Sequence, residues 1–302
     1  MNGTKIAFIG LGRMGLPMCA RLVAAGYPVT ASDAEPGKEE PATDAGASWA
    51  AHPAGAVAGA GLVITMLPGP DEVRAAMTGT GGILPAIPAG ATWIDMSTNA
   101  PATARELAAA ARARGVAALD APAGGGVAAA GTGRLQLFAG GDRAVLDRWR
   151  TLLAVLACRV SHAGGHGSGC LTKLLVNLLW FSQAIAVAEA LLLARRAGLD
   201  LDELRSTLAA SAASSEFVRE DLGSLLDGDY LTSFGLDRCC QELAQVAELT
   251  RELQVPGELT QLVTGTYQRA LRRYGAVDGE LLAVALLEEQ AGLRLRHDGP
   301  AD

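Results

Sequence analysis

The chain has 302 residues, half of them apolar, and a formal net charge of −7. That is enough for two domains with a substantial core; it excludes a disordered chain, and without clustered Lys and Arg it excludes a nucleic-acid footprint. The five cysteines are odd in number and show no C-x-x-C spacing, so neither a disulfide framework nor a zinc site is expected, and a cytoplasmic setting is. The N-terminus carries no basic segment followed by an apolar run and a small-residue cleavage site, so no secretory signal is expected.

In chain order, residues 1–162 alternate short β-rich runs with helical stretches. The strand candidates are IAFIG (6–10), PVTAS (28–32), LVITML (62–67), TWIDM (92–96), AALDA (117–121), LQLFA (135–139) and CRVSH (158–162). Ala- and Arg-rich helical segments such as Thr103–Arg114 lie between most of them. This alternation predicts a parallel sheet wrapped by helices. AGGHGSG (163–169) reads as a glycine-rich hinge. Beyond it helical periodicity runs through 170–197, 201–212, 235–253, 258–273 and 278–292, with breaks at Gly198, Gly228, Pro256 and Gly275. The fold class is an α/β Rossmann-type domain over 1–162 followed by an all-α domain over 163–302. The apolar segment 171–194 has a longest charge-free run of 15 residues, Leu174 to Ala188, where a membrane span needs about 20. It reads as a buried helix, and no membrane partner is expected. The tail RLRHDGPAD (294–302) is expected to fray.

GLGRMG (10–15) has the G-x-G-x-x-G spacing, directly after a strand and opening a helix over Met14–Ala25. Each part has a physical reason. Gly10 allows the tight turn, Gly12 lets the backbone approach a pyrophosphate, and Gly15 lets helix and strand pack closely. The helix N-terminus offers N–H groups to phosphates. Asp33, 18 residues past Gly15 at the end of the second strand, can accept hydrogen bonds from a ribose diol. Its charge would repel a 2′-phosphate, and Ala34 follows where an arginine could have clamped one. NAD is the expected cofactor, with NADP left open by the nearby Lys38.

The chemistry has to come from elsewhere. Lys173 is one of three lysines, with Lys5 and Lys38, and lies at the start of the apolar helix. Asn177, four residues on, projects from the same face. A buried lysine has a lowered pKa and suits proton transfer near neutral pH, and Asn177 can orient a substrate oxygen. A lysine snorkelling from a helix end, with Asn177 bonded to a neighbouring helix, fits the spacing equally. DMST (95–98) ends a strand with Ser97 and Thr98 expected to be exposed at its tip, the edge where open α/β sheets bind ligands. DAPAGGG (120–126) ends the next with Gly124, Gly125 and Gly126, whose N–H groups could cradle an anion.

Taken together, GLGRMGLPM, VITMLPGPDEV (63–73), DMST, DAPAGGG and GxGxxxKxxxN (167–177) resemble the β-hydroxyacid dehydrogenase family, 3-hydroxyisobutyrate dehydrogenase-like, with a 6-phosphogluconate-dehydrogenase-type NAD-binding domain. The resemblance covers nearly the whole chain. It implies a Rossmann-type domain, a long interdomain helix, an all-helical domain used for substrate binding and for a homodimer or homotetramer, and a hydroxy acid bound between domains. Lys173 is then the general acid/base and Asn177 the orienting residue. Gly10, Leu11, Gly12, Arg13, Met14, Gly15, Asp33, Leu67, Pro68 and Thr98 hold the cofactor. Gly124–Gly126 and Gln241 join Lys173 and Asn177 at the substrate.

Two departures stand out. The family commonly reads D-A-P-V-S-G-G, and its serine holds the substrate carboxylate; here that position is Gly124. A later K-D-L motif is matched by Gln241, Glu242 and Leu243, so a cation is lost. Losing both partners is expected to weaken binding of a simple hydroxy acid by several kcal/mol unless something compensates. Two other readings compete. An imine reductase shares the two-domain plan but typically carries Asp or Tyr at Lys173. A non-catalytic cofactor-binding scaffold would not need the lysine at all. Trp180 and Phe181 read as core or as an apolar pocket lining, Cys239–Cys240 as packing residues, His166 as a flexible-loop histidine, and Glu189 as a paired structural carboxylate.

Overall fold

The computed structural model describes residues 3–296 and divides into two compact units, 1–173 and 174–302. Of the tail expected to fray, residues 297–302 lie outside the described part; Leu295 is fully buried, and its N–H donates to the Glu288 carboxylate, so that stretch is packed.

In the first unit, β1 (Ile6–Ile9), β2 (Val29–Ser32), β3 (Ser48–Trp49), β4 (Leu62–Thr65), β5 (Thr92–Asp95) and β6 (Ala117–Asp120) form the parallel part of one sheet, with β7 (Ala123–Gly124), β8 (Leu135–Gly141) and β9 (Ala157–Gly164) continuing it. The order is β3-β2-β1-β4-β5-β6-β8-β7, with β9 also on β8. The sheet is not wholly parallel as expected: β8 runs antiparallel to β6 and β7. The reason is the short β7–α6–β8 connection, with α6 covering only Gly126–Thr132, too little chain for a parallel crossover.

Helices cover both faces. Met18, Cys19 and Leu22 of α1 (Gly15–Ala24), Ala42 of α2 (Glu39–Asp44) and Trp149 and Leu153 of α7 (Arg143–Leu156) pack on one. Val57 of α3 (Pro53–Val57), Val73 and Met77 of α4 (Pro70–Thr78), and Leu107 and Ala111 of α5 (Pro101–Ala113) pack on the other. A proline opens α3, α4 and α5, where its missing N–H costs nothing. This double winding places every β–α loop of the parallel part at one edge of the sheet, at the ends of β1, β4, β5 and β6.

The supposed hinge is mostly structured. β9 runs to Gly164 and the long helix α8 (Ser168–Arg196) starts four residues later. His166 is half-buried with its Nδ1 enclosed, not a loop side chain in solvent.

The unit boundary falls within α8. By length and composition α8 could cross a membrane. Within the second unit it buries Ala184, Ala188 and Leu191 against Phe217, Leu222 and Leu281, and Phe181 and Ile185 against Leu236, Val263 and Tyr267. Leu175, Val176, Leu179 and Leu193 remain exposed on it, as does Glu189. The remaining helices are α9 (Leu201–Ala210), α10 (Leu222–Leu226), α11 (Leu236–Glu252), α12 (Glu258–Tyr274) and α13 (Leu282–Ala291). A π-helical turn at Phe217–Asp221 leads into α10. Asp200 caps α9 by accepting from the N–H groups of Asp202 and Glu203.

Candidate active site

The glycine loop fits a dinucleotide for reasons visible in the structure. Gly10 has φ +97°, and a Cβ there would lie 2.3 Å from the Met66 carbonyl oxygen. A Cβ on Gly15 would lie 1.9 Å from the Gly10 carbonyl oxygen, so α1 presses directly on the turn. Gly12 is the opposite: a Cβ there would meet nothing within 4 Å. It presents bare backbone to open space, the surface a pyrophosphate needs. No side chain caps α1, so the dipole end faces that space. Gly12 and Arg13 are exposed, Met14 is half-buried and Leu11 is buried.

Asp33 directly follows β2, beside this loop. It accepts from the Leu11 N–H at 2.5 Å and the Glu35 N–H at 2.9 Å, which holds its carboxylate against the turn. Lys38 is engaged with Glu35 at 3.6 Å, so the one lysine near this end is part-neutralised.

Further along the same edge, Leu67 and Pro68 follow β4 and Thr98 follows β5. Thr98 is half-buried. Ser97, expected to be exposed, is fully buried: its Oγ accepts from the Leu67 N–H at 2.9 Å. Its work is to join the two loops. Asp95 lies beneath, 2% exposed, accepting from the Thr65 hydroxyl, the Ser97 N–H and the Asn99 amide. Burial pushes the Asp95 carboxyl up from its ordinary range, while these hydrogen bonds oppose the rise.

Lys173 is half-buried in the second turn of α8. The first turn of the helix, just before it, is anchored by Asp120 at the end of β6, which accepts from the Gly167 and Cys170 N–H groups at 2.8 and 3.0 Å. Asn177 follows Lys173 by one helical turn and donates its amide N–H to Glu242 on α11. Glu242 is 5% exposed. With one N–H committed to a carboxylate, the amide orientation is fixed, and its oxygen and second N–H remain for a ligand. The glycines of DAPAGGG divide: Gly124 pairs with Gln136 in the sheet, while Gly125 and Gly126, both at positive φ, start the seven-residue α6. Gln241 is exposed and accepts from the Arg238 guanidinium at 3.0 Å.

The aromatic and thiol candidates are packing residues. Trp180 and Phe181 meet edge to face at 5.5 Å, and the Trp180 indole donates to Asp221. Cys239 and Cys240 are buried, and desolvation pushes both thiols up, Cys240 to about 11. Asp95, Asp120 and Glu242 fall inside the sequence motifs but receive a role only from the structure. Asp95 and Asp120 are signalled as acids closing strands; the Glu242–Asn177 pairing spans 65 residues and leaves no local trace.

A strand-turn-helix dinucleotide cradle beside a lysine-bearing helix is the plan of a nicotinamide-dependent oxidoreductase, and comparison with known proteins gives the class. Residues 5–164 match the model for the NAD binding domain of 6-phosphogluconate dehydrogenase. Residues 167–287 match the one for NAD-binding of NADP-dependent 3-hydroxyisobutyrate dehydrogenase. The chain is 38% identical over 211 residues to the NAD-dependent L-serine dehydrogenase of Pseudomonas aeruginosa, covering 70% of this chain and 71% of that one. It is 30% identical to the 2-(hydroxymethyl)glutarate dehydrogenase of Eubacterium barkeri over 95% of both. The structure of Mycobacterium tuberculosis 3-hydroxyisobutyrate dehydrogenase with L-serine superposes with a TM-score of 0.86 at 30% identity, covering 94% of this chain and 99% of that one. An imine reductase from Myxococcus stipitatus is more distant, at 0.63 and 21%. The chain belongs to the β-hydroxyacid dehydrogenase family. It is an NAD(P)-dependent oxidoreductase that acts on the CH–OH group of a hydroxy acid or on the matching semialdehyde.

Proposed function

We propose that this enzyme interconverts a 2-substituted 3-hydroxypropanoate and its semialdehyde, using NAD(H), with Lys173 as the general acid/base. The names of the three relatives above describe one chemical core: serine, 2-(hydroxymethyl)glutarate and 3-hydroxyisobutyrate are 3-hydroxypropanoates that differ in the substituent on carbon 2. The observation that carries the reading is a half-buried lysine one turn into a helix whose start is anchored to the sheet edge where the cofactor loops gather. When bound, the nicotinamide takes or supplies the hydride. Lys173 takes the hydroxyl proton in oxidation and returns it to the oxygen in reduction. Asn177, its amide fixed by Glu242, orients the substrate oxygen. Gly10–Gly15 and Asp33 hold the adenosine and pyrophosphate, Leu67, Pro68 and Thr98 the nicotinamide half, and Gly124–Gly126 and Gln241 line the substrate. In this reading residues 1–162 bind the dinucleotide and 163–302 bind substrate and self-associate. The exposed Leu175, Val176, Leu179 and Leu193 of α8 support a homodimer or homotetramer. The five free cysteines support a cytoplasmic location. The test is NADH oxidation with a series of 3-oxopropanoates, run beside cyclic imines. Turnover of the oxo acids is expected, and turnover of imines alone would overturn the reading.

Asp33 supports NAD over NADP. Its carboxylate is held against the glycine loop by the Leu11 and Glu35 N–H groups, where it would repel a ribose 2′-phosphate. NADH is expected to outperform NADPH in kcat/KM by about 10- to 100-fold, or about 1.4–2.7 kcal/mol. Asp33→Ser is expected to narrow that ratio mainly through KM for NADPH, which steady-state kinetics with both cofactors measures.

Gly124 bears on substrate choice. Its φ is not in the left-handed region, and a Cβ there would lie 3.4 Å from the Phe138 ring, an ordinary contact. The backbone therefore accepts serine. Gly124→Ser is expected to fold normally and to lower KM for 3-hydroxyisobutyrate by about 5- to 10-fold, the worth of one hydrogen bond to a carboxylate. An unchanged KM would place the carboxylate elsewhere.

A further inference from the structure

Two buried carboxylates stand side by side at the ligand edge of the sheet, and neither has a role in proton transfer. Asp95 and Asp120 are register partners at the ends of β5 and β6, 2% and 4% exposed. They serve different clients. Asp95 gathers the Thr65 hydroxyl at 2.8 Å, the Ser97 N–H at 3.2 Å and the Asn99 amide at 3.1 Å. Ser97 in turn holds the Leu67 N–H. One carboxylate thereby fixes both the Leu67–Pro68 loop and the Thr98 loop. Asp120 spends both oxygens on a single turn of backbone, one on Gly167 and one on Cys170, three residues before Lys173. The fit is close: a Cβ on Gly169 would lie 2.1 Å from the Phe138 carbonyl oxygen, and one on Gly140 would lie 2.6 Å from the Asp120 carboxylate. Cys170, fully buried, feels the charge of both acids, so the two anchors share one packed cluster.

We infer that Asp95 and Asp120 are a paired positioning device: Asp95 sets the loops for the nicotinamide half of the cofactor, and Asp120 sets the start of the helix that carries Lys173. The inference rests on the roles proposed above for Lys173 and for those loops. Because the two acids are register partners on one sheet, about 4.8 Å apart as adjacent strands are, the cofactor loops and the helix that carries Lys173 are referenced to the same frame. Both positions require an acceptor only. An amide at either one would set N–H against N–H.

The test uses the three lysines. Reductive ¹³C-dimethylation keeps each ammonium charge, and Lys173→Arg assigns the Lys173 resonance, with Lys5 and Lys38 as internal controls. Saturating NAD⁺, but not ADP-ribose, is expected to shift the Lys173 signal. In Asp120→Asn that shift is lost although NAD⁺ still binds. In Asp95→Asn the affinity for NAD⁺ falls at least tenfold relative to ADP-ribose. Simple loss of stability would move NAD⁺ and ADP-ribose together and would not separate the two variants. Ser97→Ala and Asp120→Ser, which leave smaller defects, serve if an Asn variant does not fold. An unchanged NAD⁺ to ADP-ribose ratio overturns the role of Asp95, and an intact Lys173 shift overturns that of Asp120. If the unmutated enzyme shows no NAD⁺-dependent Lys173 shift, the assignment of Lys173 itself fails, while the Asp95 ratio is still decided.

Discussion

Lys173→Ala is expected to lower kcat by about 10²- to 10⁴-fold, the usual contribution of a positioned acid/base, while the dissociation constant for NADH stays within about twofold. The separation follows from where the residue sits. Lys173 is on α8, whereas the glycine loop, Asp33 and the loops after β4 and β5 belong to the sheet edge and keep their own hydrogen bonds when the lysine is shortened. An alanine at 173 also suits a helix, so folding should not suffer. Rapid-quench turnover and fluorescence titration of NADH measure the two quantities independently. Unchanged turnover would assign the proton transfer to another group.

The glycine loop gives the second large effect, and it is a contrast between two alanines. Gly15→Ala places a Cβ 1.9 Å from the Gly10 carbonyl oxygen, a backbone atom that cannot rotate away. α1 must lift from the turn, at a cost of about 1–3 kcal/mol or more, so both Tm and NADH affinity should fall. Gly12→Ala meets no protein atom within 4 Å and has no positive φ to lose. Tm should hold, while NADH binding weakens by about tenfold or more, about 1.4 kcal/mol, because the methyl occupies the pyrophosphate's approach. Calorimetry with and without NADH separates the two. Equal behaviour of the variants would mean that the phosphates do not lie on Gly12.

Much of this was legible in the sequence because the signals are local. The turn at 10–15 announces itself by spacing, and the acid at 33 by its place after a second apolar run. The switch from strand alternation to helical periodicity locates the change of architecture. What stayed hidden depends on residues far apart in the chain. β3 and β7 have two residues each, too few to show a period. The reversed direction of β8 comes from the length of a connection, not from its own sequence. Ser97 looks like an exposed loop hydroxyl until the Leu67 N–H, 30 residues away, claims it. The Asp120 anchor spans 47 and 50 residues, and the Asn177 amide that Glu242 accepts from lies 65 residues away. The π-helical turn at Phe217–Asp221 has no sequence signal, since only its hydrogen-bond register distinguishes it from α-helix.

The central claim is that a hydride passes between a nicotinamide and the carbonyl carbon of a semialdehyde while Lys173 supplies the proton. The most direct test is mass analysis of the products formed from deuterated NADH, labelled at the transferable position, with a mixture of 2-substituted 3-oxopropanoates and cyclic imines. The account predicts deuterium on the hydroxymethyl carbon of a 3-hydroxy acid, formed about 10²- to 10⁴-fold more slowly with Lys173→Ala. Deuterium found only in the amines, or an undiminished rate of labelling in the Lys173 variant, would contradict it.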